Sequence, residues 1–312
     1  NFEKNLSLDD KLIVAVSGGP DSLALAFLAK IYLIKKKLTA KFFIIDHKLR
    51  LDSTTEALKV KKILKKIFIN AEILTWRGLK PIRNIQSLAR NERYRLLFQK
   101  SKELKINNIL LGHHQDDLFE NFFIRILRGS GLKGLISFGK KTNIENKILL
   151  RPLLDVKKED LIYISKKVFD FYVQDPSNEN EKYLRIKVRK MIEELKINGL
   201  DKKKFFKTID NLKNSNEVVN FYVNSNLINN CFFSKEQNKL ILNEEFFLQP
   251  YEIIFRSLTE SIRLIGKKYY SVRGKKLDKI IKDIENNRLT RATLGGCIIE
   301  NVNQTVLISK EH

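Results

Sequence analysis

The chain has 312 residues, 43% of them apolar, which is enough for a sizeable core and, at ordinary domain sizes, for two domains. Its 59 Lys and Arg against 36 Asp and Glu leave a net charge of +23, which suits a polyanionic partner, although Lys, Asn and Ile are abundant throughout and part of that excess is background. No run approaches the ~18–20 apolar residues of a membrane span, residues 1–10 lack a signal-peptide core, and the two distant cysteines, Cys231 and Cys297, form no C-x-x-C; the chain is expected in the cytoplasm.

In chain order, Leu12–Val16 reads as a strand, Ser17-Gly18-Gly19-Pro20-Asp21-Ser22 as a tight loop, and Leu23–Ile34 as a helix. Paired glycines bring backbone N–H groups close to a ligand, and the following helix start offers unpaired donors and a partial positive charge. That makes a phosphate seat, to which Ser17 and Ser22 add hydroxyls and Asp21 an oxygen ligand for Mg²⁺. By itself the stretch also fits an ordinary strand-to-helix turn with a serine cap. Lys41–Ile45 reads as a second strand ending in Asp46-His47-Lys48-Leu49-Arg50, Ala71–Trp76 as a third, and 84–104 as a helix carrying Arg90 and Arg93 on one face. A fourth strand, Asn108–Leu111, runs into Gly112-His113-His114-Gln115-Asp116-Asp117-Leu118-Phe119-Glu120, with a helix beginning near Gln115. Alone, acids in a first helical turn are as well explained by the helix dipole, at about 0.3–1 kcal/mol each.

The loop 17–22 resembles the SGGxDS pyrophosphate loop of the PP-loop ATP pyrophosphatases; neither G-x-x-x-x-G-K-[ST] nor G-x-G-x-x-G follows this strand. With Asp46-His47-Lys48-Leu49-Arg50, Ala89–Tyr94, Gly112–Glu120, Arg128-Gly129-Ser130-Gly131 and Arg151-Pro152-Leu153-Leu154 following in order, the first two thirds of the chain resemble the tRNA(Ile)-lysidine synthetase family. Asp175-Pro176-Ser177-Asn178 followed by Arg185 and Arg189 continues the likeness. Ile186 stands where the family has Asn, which weakens the assignment of Arg185, and Asn121 stands where it has Thr.

The resemblance implies a ligase. ATP adenylates C2–O of the wobble cytidine in a CAU-anticodon isoleucine tRNA, and the ε-amine of L-lysine displaces AMP. It implies nucleotide contacts from Ser17, Gly18, Gly19, Pro20, Asp21, Ser22, Asp46, His47, Gly112 and His113, with Mg²⁺ held through Asp21. Lysine's amine, whose ordinary pKa is about 10.4, must lose a proton before attack, and Asp117 and Glu120 are assigned to hold and deprotonate it. Arg90 and Arg93 are candidates to support the polyphosphate and the developing charge. Arg185 and Arg189 are candidates for phosphate or RNA. A zinc or iron site built from His113, His114, Asp116, Asp117 and Glu120 is disfavoured because the spacing is not H-E-x-x-H and adjacent strand-end histidines point apart. Members of the family are dimers, so the likeness extends to a homodimer, for which no apolar pattern marks an interface. The alternatives are tRNA cytidine 2-thiolation, which wants paired cysteines, and a non-catalytic basic RNA-binding protein.

The predicted architecture is α/β: a doubly wound parallel sheet of four strands over residues 1–200, a helical connector over 201–224, and a small α+β domain over 225–312; its stretch Thr290–Cys297 resembles the small carboxyl-terminal domain of the family, which implies tRNA binding, the alternative being a stabilising appendage without RNA contact. In the last part, 226–243 reads as a hairpin turning around 235–238, Glu244–Ile265 and Gly274–Asn287 as helices, and Arg291–Ser309 as two strands joined at 301–304.

Overall fold

A computed structural model describes residues 2–3, 6, 11–78, 85–144, 146–173, 184–234, 239–267, 272 and 274–311, without the side chains of 85–87. The stretch 175–178 and the turn 235–238 lie outside the described residues. The chain divides into two compact units, Asn1–Lys202 and Lys203–His312.

The first unit contains β1 (Leu12–Val16), α1 (Pro20–Lys36), β2 (Ala40–Asp46), α2 (Ser53–Lys66), β3 (Ala71–Thr75), α3 (Ile85–Leu104), β4 (Asn108–Leu110), α4 (Gln115–Leu127), α5 (Leu132–Leu135), β5 (Lys141–Ile144), β6 (Lys147–Leu150), α6 (Lys158–Phe169) and α7 (Leu184–Ile197). The sheet order is β3-β2-β1-β4-β6-β5, all parallel except the edge strand β5. Every residue of β1 is buried. Its alternate residues serve two cores, as the two-residue strand period requires. Leu12, Val14 and Val16 pack with Leu23 and Leu25 of α1, Val60 and Leu64 of α2 and Leu161 of α6, whereas Ile13 and Ala15 pack with Leu97 of α3. Each such fully buried large side chain contributes about 1.5–3 kcal/mol. Because β1 is flanked by β2 on one side and β4 on the other, the chain leaving β1 and the chain leaving β4 diverge at their carboxyl ends. This is the crevice where open α/β sheets bind ligands.

The sequence reading of four strands missed β5 and β6. Both are four residues long, and β5, with two of its residues exposed, carries little apolar signal.

The second unit holds most of α8 (Lys202–Asn230), then β7 (Cys231–Ser234), β8 (Lys239–Leu242), α9 (Tyr251–Gly266), α10 (Gly274–Glu285), β9 (Arg291–Leu294), β10 (Cys297–Val302) and β11 (Thr305–Lys310). Its sheet, β7-β8-β11-β10-β9, is antiparallel throughout. Leu277, Ile280, Ile281 and Ile284 give α10 one apolar stripe at helical spacing, packed with Leu258 and Ile262 of α9 and Ile299 and Ile308 of the sheet.

Residues 226–230 are still helix, so the hairpin begins at Cys231. The helix predicted over Glu244–Ile265 is broken: a 3₁₀ turn covers Glu244–Phe247, and Pro250, which has no N–H to give, caps a separate α9. Arg291–Ser309 forms three strands instead of two, because Gly295 and Gly296, at φ 66° and 79°, reverse the chain between Leu294 and Cys297.

Candidate active site

The loop after β1 is tied together by its serines. Ser22 Oγ accepts from Ser17 N–H at 3.0 Å, lies 3.1 Å from Ser17 Oγ and donates to Gly19 C=O at 3.0 Å. Gly18 sits at φ +85°, and a Cβ there would come within 2.7 Å of Val60 Cγ2. Its carbonyl accepts from Val173 N–H, and the Pro20 carbonyl accepts from Ser165 Oγ at 2.6 Å, so α6 and the segment after it brace the loop from behind. The start of α1 has no side-chain cap. Its first-turn donors therefore face outward for an anion.

The loop after β4 lies against it. A Cβ on Gly112 would meet Ser22 Cα at 3.0 Å and Asp21 O at 3.1 Å, so backbone touches backbone with no room for a side chain. His114 then caps α4 in a reciprocal box: its Nδ1 accepts from Asp116 N–H at 3.3 Å, while its own N–H donates to Asp117 Oδ2 at 2.9 Å.

A cavity of about 320 Å³ opens between these loops, lined among others by Ser17, Asp21, Ser22, His47, Arg93, Gly112, His113, Asp117 and Arg185. Four of its wall atoms are buried without a hydrogen-bond partner among the described residues: Asp21 Oδ1, His47 Nδ1, Ser53 Oγ and His113 Nδ1. Burial pushes the Asp21 carboxyl up, against the pull of His114. Burial also holds His47, beside Arg93, down to about 4, and His113 down to about 3, so both rings are neutral at pH 7. For Asp117, burial pushes the carboxyl up but His114 and Arg185 outweigh it, and it stays below the usual carboxylate range. The Arg185 guanidinium, pulled down by burial, is raised further by Asp117 and Glu120.

The predicted residues are not all brought together. Asp46 is buried, yet one oxygen accepts from Lys48 N–H and the other from Thr54 Oγ1 at 2.7 Å, so it shapes its own loop while His47 faces the cavity. Arg90 is exposed and lies over the Tyr94 ring, outside the cavity wall. Arg185 donates to both Asp117 and Glu120, and Arg189 donates to Glu120 at 2.5 Å, so α7 lays two guanidinium groups on the acids of α4. The sequence reading gave these arginines to phosphate or RNA; a pairing across 65 to 69 residues leaves no local trace. It also gave no role to Arg50, Ser53 and Glu56, which line the cavity, nor to Arg151, whose buried guanidinium lies over Phe138, the ring that meets His113 edge-on. Arg50 and Arg151 stand inside two of the ordered motifs, which was the available signal. Among the described residues no group of three or more His, Cys, Asp and Glu side chains is arranged to hold a metal ion.

Residues 1–195 match the family model of the PP-loop domain. The tRNA(Ile)-lysidine synthase of Orientia tsutsugamushi is 34% identical over 99% of this chain and 71% of its own length. That of the Wolbachia of Brugia malayi is 30% identical over 97% of this chain and 71% of its own length. Among solved structures, the U34-tRNA thiolase NcsA from Methanococcus maripaludis superposes with a TM-score of 0.58 at 18% identity, covering 69% of this chain and 76% of that one, which speaks to the fold alone. With a glycine loop and an acid-bearing helix meeting at the switch point of its sheet, the chain belongs to the PP-loop proteins and, within them, to the tRNA(Ile)-lysidine synthase family.

Proposed function

We propose that this protein forms lysidine, joining L-lysine to C2 of the wobble cytidine, C34, of CAU-anticodon tRNA(Ile) at the expense of ATP, with release of pyrophosphate and AMP through an adenylated tRNA. The observation that carries this reading is one cavity that holds both kinds of equipment: the uncapped 17–22 loop for a polyphosphate and the Asp117 carboxylate for an amine.

In this reading the N–H groups of the loop and of the first turn of α1 take the β- and γ-phosphates. The unpartnered Asp21 Oδ1 fits a Mg²⁺ carried on the nucleotide, which would neutralise phosphate charge. Arg93 supplies a fixed cation beside the reacting phosphorus. Neutral His113 and His47 offer imidazole hydrogen bonds to base or ribose without adding charge. The lysine ammonium is received by Asp117 and Glu120. Since two guanidinium groups already neutralise those acids, the incoming ammonium must exchange with at least one of them. Arg185, which also lines the cavity, is placed to trade carboxylate for phosphate oxygens as lysine enters. The division into a catalytic part over 1–200, a connector over 201–224 and an RNA-gripping part over 225–312 belongs to the same proposal, as does a homodimer.

The test is to incubate the protein with ATP, Mg²⁺, labelled lysine and unmodified CAU-anticodon tRNA. Label in the RNA and AMP in solution are expected; the absence of both overturns the reading.

A further inference from the structure

His114 lies 4% exposed, behind the cavity wall and not in it, at a point where both loops of the site converge. Its Nδ1 accepts the Asp116 N–H at 3.3 Å and so carries no hydrogen itself. With Nδ1 bare, the ring hydrogen sits on Nε2. That N–H stands 3.7 Å from Asp21 Oδ2 and 3.6 Å from Asp117 Oδ2, on the first turns of α1 and α4 respectively. No other described side chain stands within 4 Å ion-pair reach of both carboxylates. Asp21 presents its second oxygen, Oδ1, buried and unpartnered, to the cavity, and Asp117 presents Oδ1 to Arg185.

We propose that His114 is a positioning residue that fixes Asp21, on the phosphate side, and Asp117, on the amine side, at a set separation through a single Nε2–H. The proposal rests on the function given above and deepens it. Two carboxylates approaching from separate loops repel each other. A buried imidazole clamped at Nδ1 by the backbone of α4 leaves its Nε2–H with one orientation. One side chain thereby registers the nucleotide against the amine, a tolerance on which the rate of both half-reactions depends. A purely structural role as a helix cap uses only Nδ1; positioning uses Nε2.

The two roles separate by substitution. His114→Asn keeps a good capping side chain and has nothing that reaches the acids. His114→Gln carries an amide N–H at the position of Nε2 and gives up the cap. For His114→Asn we expect a melting temperature near that of the parent protein, with RNA adenylation in the absence of lysine and lysine transfer to pre-adenylated RNA both slowed by ~10–100-fold. For His114→Gln we expect a lower melting temperature and recovery of most of the lost rate in both steps. Imidazole ¹⁵N spectra of the substrate-free parent protein are expected to show Nε2 protonated and Nδ1 bare. The proposal is overturned by a protonated Nδ1, by a loss below ~10-fold in His114→Asn, or by His114→Gln being no faster than His114→Asn. If the parent protein forms no adenylated RNA at all, the functional reading fails instead, and the ¹⁵N spectrum still decides the tautomer on which the bridge depends.

Discussion

Both units bury polar side chains, but they treat them differently. In the second unit Asn226 donates to the Phe246 carbonyl and to Ser257 Oγ, Asn230 donates to Asn226, Ser261 to the Ser257 carbonyl and Cys297 to the Ile262 carbonyl. These groups close on one another and fix the packing of α8, α9 and the sheet. In the first unit, by contrast, lie eight of the nine buried polar side-chain atoms that lack a partner among the described residues, and four of the eight line one cavity. A buried polar atom without a partner costs about 1–3 kcal/mol. Its concentration beyond the carboxyl ends of β1, β2 and β4 is the signature of groups kept for a ligand, whereas the second unit uses its polar groups for architecture.

The contrast can be broken most sharply at Asp21. Asp21→Asn should slow AMP formation by at least about 10³-fold, about 4 kcal/mol in the barrier, with little loss of stability. Ordinary turnover in a Mg²⁺-dependent assay would remove its metal role. In the second unit the mirror experiment is Leu258→Ala, at a fully buried position of α9. It should cost about 3 kcal/mol, read as faster amide exchange over β8, β10 and β11, while nucleotide affinity measured by calorimetry stays unchanged. A fall in nucleotide affinity would erase the distinction between the units.

Gly18→Ala should destabilise the first unit by about 2 kcal/mol, because a side chain at φ +85° is strained and its Cβ would press on Val60. Trp76, the chain's one tryptophan, lies in the first unit and reports that loss in urea titrations. The smallest effect is a pH slope. His47 and His113 hold folded values of about 4 and about 3 against 6.5 when unfolded, so the unfolded chain binds more protons in between. Their contribution is intact above pH 6.5 and declines as the pH falls from there towards 4, by up to about 1.4 kcal/mol per pH unit for each ring. His47→Gln and His113→Gln should each flatten the slope seen by Trp76 fluorescence between about pH 6.5 and 4.5; an unaltered slope contradicts the burial assigned to these rings.

What the sequence made legible were the features written locally. Leu12–Val16 is continuous apolar because both its faces are covered, and among the glycines of the two loops Gly18 is required by its φ of +85° and Gly112 by a close backbone approach. The acids at 117 and 120 stood out by their spacing. What it hid depends on chain segments far apart. The arginine lid on Asp117 and Glu120 joins α4 to α7, and nothing near Arg185 announces its partner. Asp46 looked like a ligand contact because it ends a strand, but its oxygens are satisfied two and eight residues away. The β5–β6 pair escaped because four-residue strands carry too few alternations to separate from a loop, and the Gly295-Gly296 reversal was read as part of a single strand.

The contact at Gly112 constrains how this protein can vary through descent. Where the chain after β4 rests on the main chain of Asp21 and Ser22, the clearance is less than a methyl group. Drift in one loop is therefore transmitted to the other as a displacement, and a lineage can remodel either only by compensating changes in both. The two loops are in this sense inherited as a single unit.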